Sequence, residues 1–277
     1  MKSPFALEPE KLEQLAEAHR EDYAHAQPFP HVVIDGFLAE EILDQVIAEF
    51  PRPEEVDWKT FSNPAEKKLA LKDETQMGPV TRSLLHELNS SVFINFMESL
   101  TGIEGLIPDP HFWGGGLHQI RRGGYLKVHA DFNSYTKLRL DRRLNLLLYL
   151  NREWKEEFGG HLELWNRDMS HTEKRVLPVF NRCVIFSTTD YSYHGHPDPL
   201  NCPEDRARKS LALYYYTNGR PPEEVSPLHT TLFQRRPGEG IGASVFSILT
   251  RLTPPIVIEA QNHLRRSLLR KRSRYQR

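Results

Sequence analysis

Beyond Gly102, Gly, Pro and polar turn residues cut the chain into about eight short runs, each the length of one β-strand. The runs are Leu117–Arg121, Tyr125–His129, Leu144–Leu150, His161–Trp165, Arg175–Pro178, Cys183–Ser187, Ser192–His196 and Arg208–Thr217. So many short strands at regular spacing leave few solutions besides a sandwich or a barrel. The preceding part reads differently. Glu8 to Ala26 is helix-forming, and apolar residues recur at helical spacing from Ala39 to Phe50 and from Val80 to Leu100. His31–Ile34 reads as a short strand, and a charged, loop-like stretch runs to about Met77. Helices first and strands afterwards predict a mostly β fold with supporting helices on one side of the β-core. The 277 residues suit one structural domain: an N-terminal helical support over 1–110, a core over 111–221 and a C-terminal extension over 222–277. Pro254-Pro255 precedes an expected terminal helix through about Leu269.

Composition narrows the functional classes. Charged residues make up 26% and apolar residues 39%, and no apolar run approaches the roughly 18 residues that would suggest a transmembrane segment. The start lacks the apolar core of a signal peptide. Cys183 and Cys202 form neither a ligand cluster nor a disulfide framework, so a reducing, cytoplasmic setting is expected. Net charge is -1, but the segment from Leu264 to Arg277 carries seven cations and no acid. A solvated end is the expected reading, with contact to an anionic surface as the alternative. No nucleic-acid partner is expected, because basic patches with interleaved aromatics are not evident elsewhere.

His129-Ala130-Asp131 places an imidazole and a carboxylate on one face of a strand, since side chains two apart point the same way. A second histidine about sixty residues on, in Tyr193-His194-Gly195-His196-Pro197, would complete a facial set of three ligands. Such a set suits non-haem Fe(II), and three protein ligands also suit catalytic zinc. His194 and His196 share a parity, so alternation does not choose between them. His196 otherwise reads as a turn residue hydrogen-bonded near the mouth. His118, His161 and His171 lack a carboxylate at ligand spacing and read as ordinary surface or core histidines.

Arg208 to Tyr216 has strict period two, with Arg208, Ser210, Ala212 and Tyr214 on one face and Leu211, Leu213 and Tyr215 on the other. An arginine inside a β-core is costly unless it meets an anion. A ligand carboxylate gripped by the guanidinium fork would meet that need, as would a protein carboxylate. Arg206 has the same parity but sits in a loop. Tyr149 shares its face with Asn145 and Leu147 and could add a hydroxyl to the same ligand, or be a core tyrosine.

These residues carry a resemblance. Gly124-Tyr125 before His129-Ala130-Asp131, Leu146 to Asn151, Trp154, Gly159-Gly160 with Leu162, Val184 to Phe186, His194-Gly195 and Arg208 to Ala212 resemble the 2-oxoglutarate/Fe(II)-dependent dioxygenase superfamily in its prolyl 4-hydroxylase-like branch. The likeness covers about Phe112 to Pro221. It implies a double-stranded β-helix core, a jelly roll of cupin-like type. It implies Fe(2+) on His129, Asp131 and His194, with 2-oxoglutarate and O2 as cosubstrates. Arg208 and Tyr149 would hold the far carboxylate of 2-oxoglutarate. The expected reaction is hydroxylation of an unactivated C–H bond, of a prolyl residue in a peptide or of a small metabolite, glycan or lipid intermediate. No catalytic residue beyond the metal ligands is expected. A cupin-like metal enzyme without 2-oxoglutarate, and an inactive binding module, stay as alternatives. The 194–208 loop is a few residues longer than usual in that branch, and residues 62–110 and 223–277 fit no pattern of it.

Overall fold

The computed structural model describes residues 6–239. The expected terminal helix and the basic tail lie outside the described residues. The N-terminal part forms α1 (Pro9–His25), β1 (His31–Asp35), α2 (Glu40–Ala48), β2 (Lys59–Asn63), β3 (Glu66–Leu71), α3 (Pro79–Glu87) and α4 (Ser91–Thr101). Strands then dominate: β4 (Ile107–Pro108), β5 (Gly116–Arg121), β6 (Tyr125–Ala130), β7 (Ser134–Tyr135), β8 (Leu140–Tyr149) and β9 (Leu162–Trp165). They continue as β10 (Thr172–Val176), β11 (Arg182–Ser187), β12 (His194–His196), β13 (Ala207–Thr217) and β14 (Leu232–Phe233).

The strands join antiparallel in the order β1-β11-β8-β13-β5-β3-β6-β12-β9-β10, with β14 added beside β6. The sheet curls into a nearly closed barrel of the expected jelly-roll type. Its two faces follow the alternation of the sequence. Leu144, Leu146 and Leu148 of β8 and Leu211, Leu213 and Tyr215 of β13 point outward, into one cluster with Leu84, Leu85, Phe93 and Phe96 of the helices. Each such side chain contributes about 1.5–3 kcal/mol by leaving water. The Tyr215 hydroxyl donates to Leu88 O at 2.9 Å and ties β13 to the end of α3. Tyr149, Val184 and Phe186 face inward, onto Leu162, Leu164 and Val176 of the opposite wall.

Two expectations for the N-terminal part need correction. The charged stretch before Met77 is not a loop: β2 and β3 form a hairpin whose second strand bridges β5 and β6. Its residues are mostly polar because both faces stay half-exposed, so no apolar alternation announces it. Asn63 closes the turn, its side-chain oxygen accepting from the Ala65 and Glu66 amides. The span from Val80 to Leu100 is two helices, not one. Ser90 interrupts it, its hydroxyl accepting from Phe93 N at 3.4 Å as an N-cap.

Candidate metal and 2-oxoglutarate site

β6 presents His129 and, just past its end, Asp131, while β12 lies beside it with His194 directly opposite His129. Ligand atoms of the three residues lie within 4.8 Å of one another. The tautomers follow from the backbone. His129 Nδ1 donates to Lys127 O at 2.8 Å and His194 Nδ1 donates to Ser192 O at 2.9 Å, because a carbonyl can only accept. Each Nε2 therefore carries a lone pair. These lone pairs face the Asp131 carboxylate, His129 Nε2 at 3.5 Å from Oδ1 and His194 Nε2 at 3.4 Å from Oδ2. Two lone pairs and a carboxylate converging without a proton between them repel one another unless a cation joins them, so the donor set fits a divalent metal. Burial, then the neighbouring His129, push the His194 imidazole down to about 4, which keeps it in its neutral, ligating form.

The carboxylate is itself held. Arg142 NH2 lies 3.0 Å from Asp131 Oδ2, and Asn145 Nδ2 donates to the same oxygen at 2.7 Å. Arg142 also donates to Asn145 Oδ1 and stacks its guanidinium 3.5 Å above the Tyr214 ring. Burial alone would raise the Asp131 carboxyl, but the Arg142 guanidinium opposes it and the group is held well below the usual range. Oδ2 thus meets Arg142, Asn145 and the His194 side, while Oδ1 faces His129.

Sequence reasoning missed Arg142. Alternation puts it on the outer face with Leu144 and Leu146. The pairing of β8 with β13 slips between Tyr215 and Tyr216, so Tyr215 faces Leu144 but Tyr216 faces Arg142. Arg143 is the extra residue of this bulge, and the bulge re-aims Arg142 inward. A similar slip separates the two candidate histidines. His194 faces His129, but His196 faces Leu126, so His196 does not reach the triad. His196 is not the hydrogen-bonded turn residue expected. It is buried within β12, and its Nδ1 has no partner. His118 is buried and contacts Gly114 O at 3.0 Å, and His161 is buried against Glu156. His171 sits at the surface beside Glu173.

Arg208 enters the same interior from β13. It is 4% exposed, yet no described carboxylate pairs with it. Its Nε donates to Gly160 O at 2.8 Å and its NH2 donates to the Tyr149 hydroxyl at 3.1 Å. Burial pushes the guanidinium below its ordinary range. A Cβ on Gly160 would lie 3.0 Å from Arg208 Cδ and 2.5 Å from Leu200 Cδ2, and this residue has φ +74°, so glycine is required there. Trp154 fixes the loop by donating from Nε1 to Gly159 O at 2.9 Å. Arg206 instead sits near the surface and pairs with Glu153. A buried guanidinium without a described carboxylate, bonded to a tyrosine hydroxyl, suits an anionic ligand such as a dicarboxylate.

The chain after Arg220 also reaches the site. Phe233 of β14 pairs with His129 and places its ring 5.6 Å from the imidazole. The strap is pinned by Asn133 to Ser226 and Pro227, by His229 to Asp190, and by Arg236 to Asp198 at 2.7 Å. A two-residue strand leaves no periodic signal in the sequence.

Residues 115–216 match the family model of the 2OG-Fe(II) oxygenase superfamily. Prolyl 3-hydroxylase OGFOD1 of Mus musculus is 29% identical over 92 residues, which are 31% of this chain and 16% of that protein. The fold is similar to that of a Pseudomonas putida prolyl-4-hydroxylase, with TM-score 0.51 and 15% identity over 74% of this chain and 100% of the other. It is similar, too, to a Trichoplax adhaerens prolyl hydroxylase solved with a hypoxia inducible factor peptide fragment, with TM-score 0.53 and 17% identity over 75% and 91% of the two chains. The match to the 2OG-Fe(II) oxygenase superfamily model covers residues 115–216, within the barrel, and the prolyl hydroxylases named share its fold. The matched family model implies Fe(2+), with 2-oxoglutarate and O2 as cosubstrates, and the donor set described above fits both the metal and the dicarboxylate.

Proposed function

We propose that this chain is a 2-oxoglutarate-dependent hydroxylase acting on a prolyl residue of a peptide, with His129, Asp131 and His194 as the iron ligands. The observation that carries the reaction class is the pairing of an open three-ligand set with a buried arginine that lacks a protein carboxylate. Arg208 and Tyr149 bind and orient the far carboxylate of 2-oxoglutarate. When bound, the iron couples oxidative decarboxylation of 2-oxoglutarate to hydroxylation of a substrate C–H. Arg142 and Asn145 hold Asp131 in place, and Phe233 shields the His129 side from water. The prolyl assignment is supported by the relative named a prolyl 3-hydroxylase and by the prolyl hydroxylases that share the fold. The test is incubation with Fe(II), 2-oxoglutarate, O2 and proline-containing peptides. Succinate release coupled to gain of one oxygen on proline is expected. Oxygen on another residue or on a small molecule, with succinate released, would replace the substrate but keep the class. No 2-oxoglutarate consumption would return the chain to metal enzymes that do not use it.

A further inference from the structure

The β2–β3 hairpin has two faces, and only one looks into the metal cavity. Thr60 and Ser62 of β2 face Leu69 and Lys67 of β3, and Leu69 faces Gln119 of β5. Gln119 in turn faces Lys209, which alternates with the inward Arg208 and Ser210. Side chains two apart share a face, so Lys67, Leu69, Gln119 and Arg121 lie on the outer wall of the barrel. With Val56 and Trp58 of the loop before β2, they line a second cavity of about 410 Å³. Phe61 and Lys68, at the rim, border both cavities.

Three features of the outer cavity lack a protein counterpart. Gln119 is only 7% exposed, yet its Oε1 has no hydrogen-bond partner among the described residues. The neighbouring Lys209 does not serve it, since its Nζ lies 4.6 Å from the Phe50 ring centroid. A buried amide oxygen without a donor is unfavourable, and a ligand N–H would relieve it. Lys67 and Arg121 form no ion pair among the described residues, whereas Arg122 beside them already meets Glu204. The one acid of the lining, Asp57, precedes β2, at the opposite end of the hairpin from Lys67. That end is apolar and fixed. Trp58 stacks on Phe50 with centroids 6.0 Å apart and donates from Nε1 to Arg52 O, and Leu69 lies between it and the cations.

We infer that this cavity binds a carboxylate that stands beside an amide and an apolar side chain. An N-acylated amino acid and the C-terminal residue of a peptide share that chemistry. Lys67 and Arg121 take the carboxylate, the Gln119 side chain exchanges hydrogen bonds with the amide, and Trp58 and Leu69 cover the apolar group. The site is separate from the metal cavity and does not depend on the oxygenase reading.

The test is calorimetric titration of N-acetyl-leucine and of N-acetyl-leucinamide into the full chain. The acid should bind about tenfold more tightly than the amide at low salt, and the gap should narrow as ionic strength rises. Lys67→Met/Arg121→Met should lose most of the gap, and Lys174→Met, on β10 away from the cavity, should keep it. Gln119→Leu should weaken both ligands about fivefold. Its ligand-free unfolding midpoint should be no lower than that of the wild type, because the buried oxygen has no partner to lose. Arg208→Met should bind the acid as the wild type does. No binding of the acid, equal binding of acid and amide, or a gap that survives Lys67→Met/Arg121→Met would overturn the inference. Loss of the acid in Arg208→Met would also overturn it, by placing the ligand inside the barrel. A lowered midpoint in Gln119→Leu with unchanged binding would overturn the role of Gln119. Acetyl-Gly-Gly-Gly-Leu separates the two sources: tighter binding than N-acetyl-leucine assigns the site to a peptide C-terminus, and equal binding assigns it to a free acylated amino acid.

Discussion

Replacing Arg208 by methionine separates a ligand-binding arginine from a structural one. In the protein without ligand, the guanidinium is buried, has no described carboxylate and makes two hydrogen bonds, to Gly160 O and to the Tyr149 hydroxyl. Methionine removes those bonds, at about 1 kcal/mol each, but also removes a buried cation whose desolvation is unfavourable. The two effects oppose, so the ligand-free variant should unfold near the wild-type denaturant midpoint. Binding should change sharply. Losing a charge-assisted contact to a buried carboxylate costs about 2–5 kcal/mol, which is about 30-fold to several-thousand-fold in Kd. Linkage makes this visible without turnover. At a 2-oxoglutarate concentration of about 100 times the wild-type Kd, the wild type should gain about 2.7 kcal/mol of stability. A variant weakened about 100-fold should gain only about 0.4 kcal/mol. The assay is denaturant unfolding of the metal-loaded protein with and without 2-oxoglutarate, beside calorimetric titration. Equal protection of wild type and variant would refute the assignment of Arg208 to the cosubstrate. Collapse of the ligand-free variant would show that the arginine serves folding instead.

Other changes probe the supports of the site. Arg142→Met strands the buried Asp131 carboxylate without its cation, so the metal-free protein should lose about 3–5 kcal/mol in urea unfolding, and added metal should restore part of it. Tyr149→Phe should weaken 2-oxoglutarate by only about 0.5–1.5 kcal/mol, and its effect should not add to that of Arg208→Met because the two side chains touch. Arg236→Ala should free the strap, seen as faster hydrogen exchange at Gln234 N, which donates to Val128 O at 2.8 Å. The strap should also answer to acid. Arg236 holds the Asp198 carboxyl below its ordinary value. A depressed carboxylate stabilises above its unfolded pKa of about 4, and that contribution is lost as pH falls through the lower folded value. Protection at Gln234, measured relative to its intrinsic exchange rate at each pH, should therefore stay level between about pH 5 and 8 and fall only in stronger acid.

The strands of the barrel were legible because β13 and the second half of β8 keep strict alternation, large residues to the helices and Arg208, Tyr149 and Asn145 to the interior. What escaped the sequence lies where alternation breaks. The bulge at Arg143 turns Arg142 from the outer face to the metal carboxylate, and the slip between β12 and β6 separates His194 from His196. Neither event leaves a mark in residue spacing. The β2–β3 hairpin was hidden because its inner face mixes three lysines and a glutamate with Phe61 and Ala70, so no run of apolar residues at every second position marks it. The break at Ser90 was readable in principle, since a serine followed by Phe93 and Phe96 is an N-cap signal, but the apolar stripe runs through it unbroken.

The central claim is that His129, Asp131 and His194 hold one iron. Anaerobic calorimetric titration of Fe(II) into the metal-free chain and into four variants tests it most directly. The wild type should bind one ion per chain. His129→Ala, Asp131→Ala and His194→Ala should each lose most of that affinity, and His196→Ala should keep it. Wild-type affinity in any of the three, or loss confined to His196→Ala, would contradict the account.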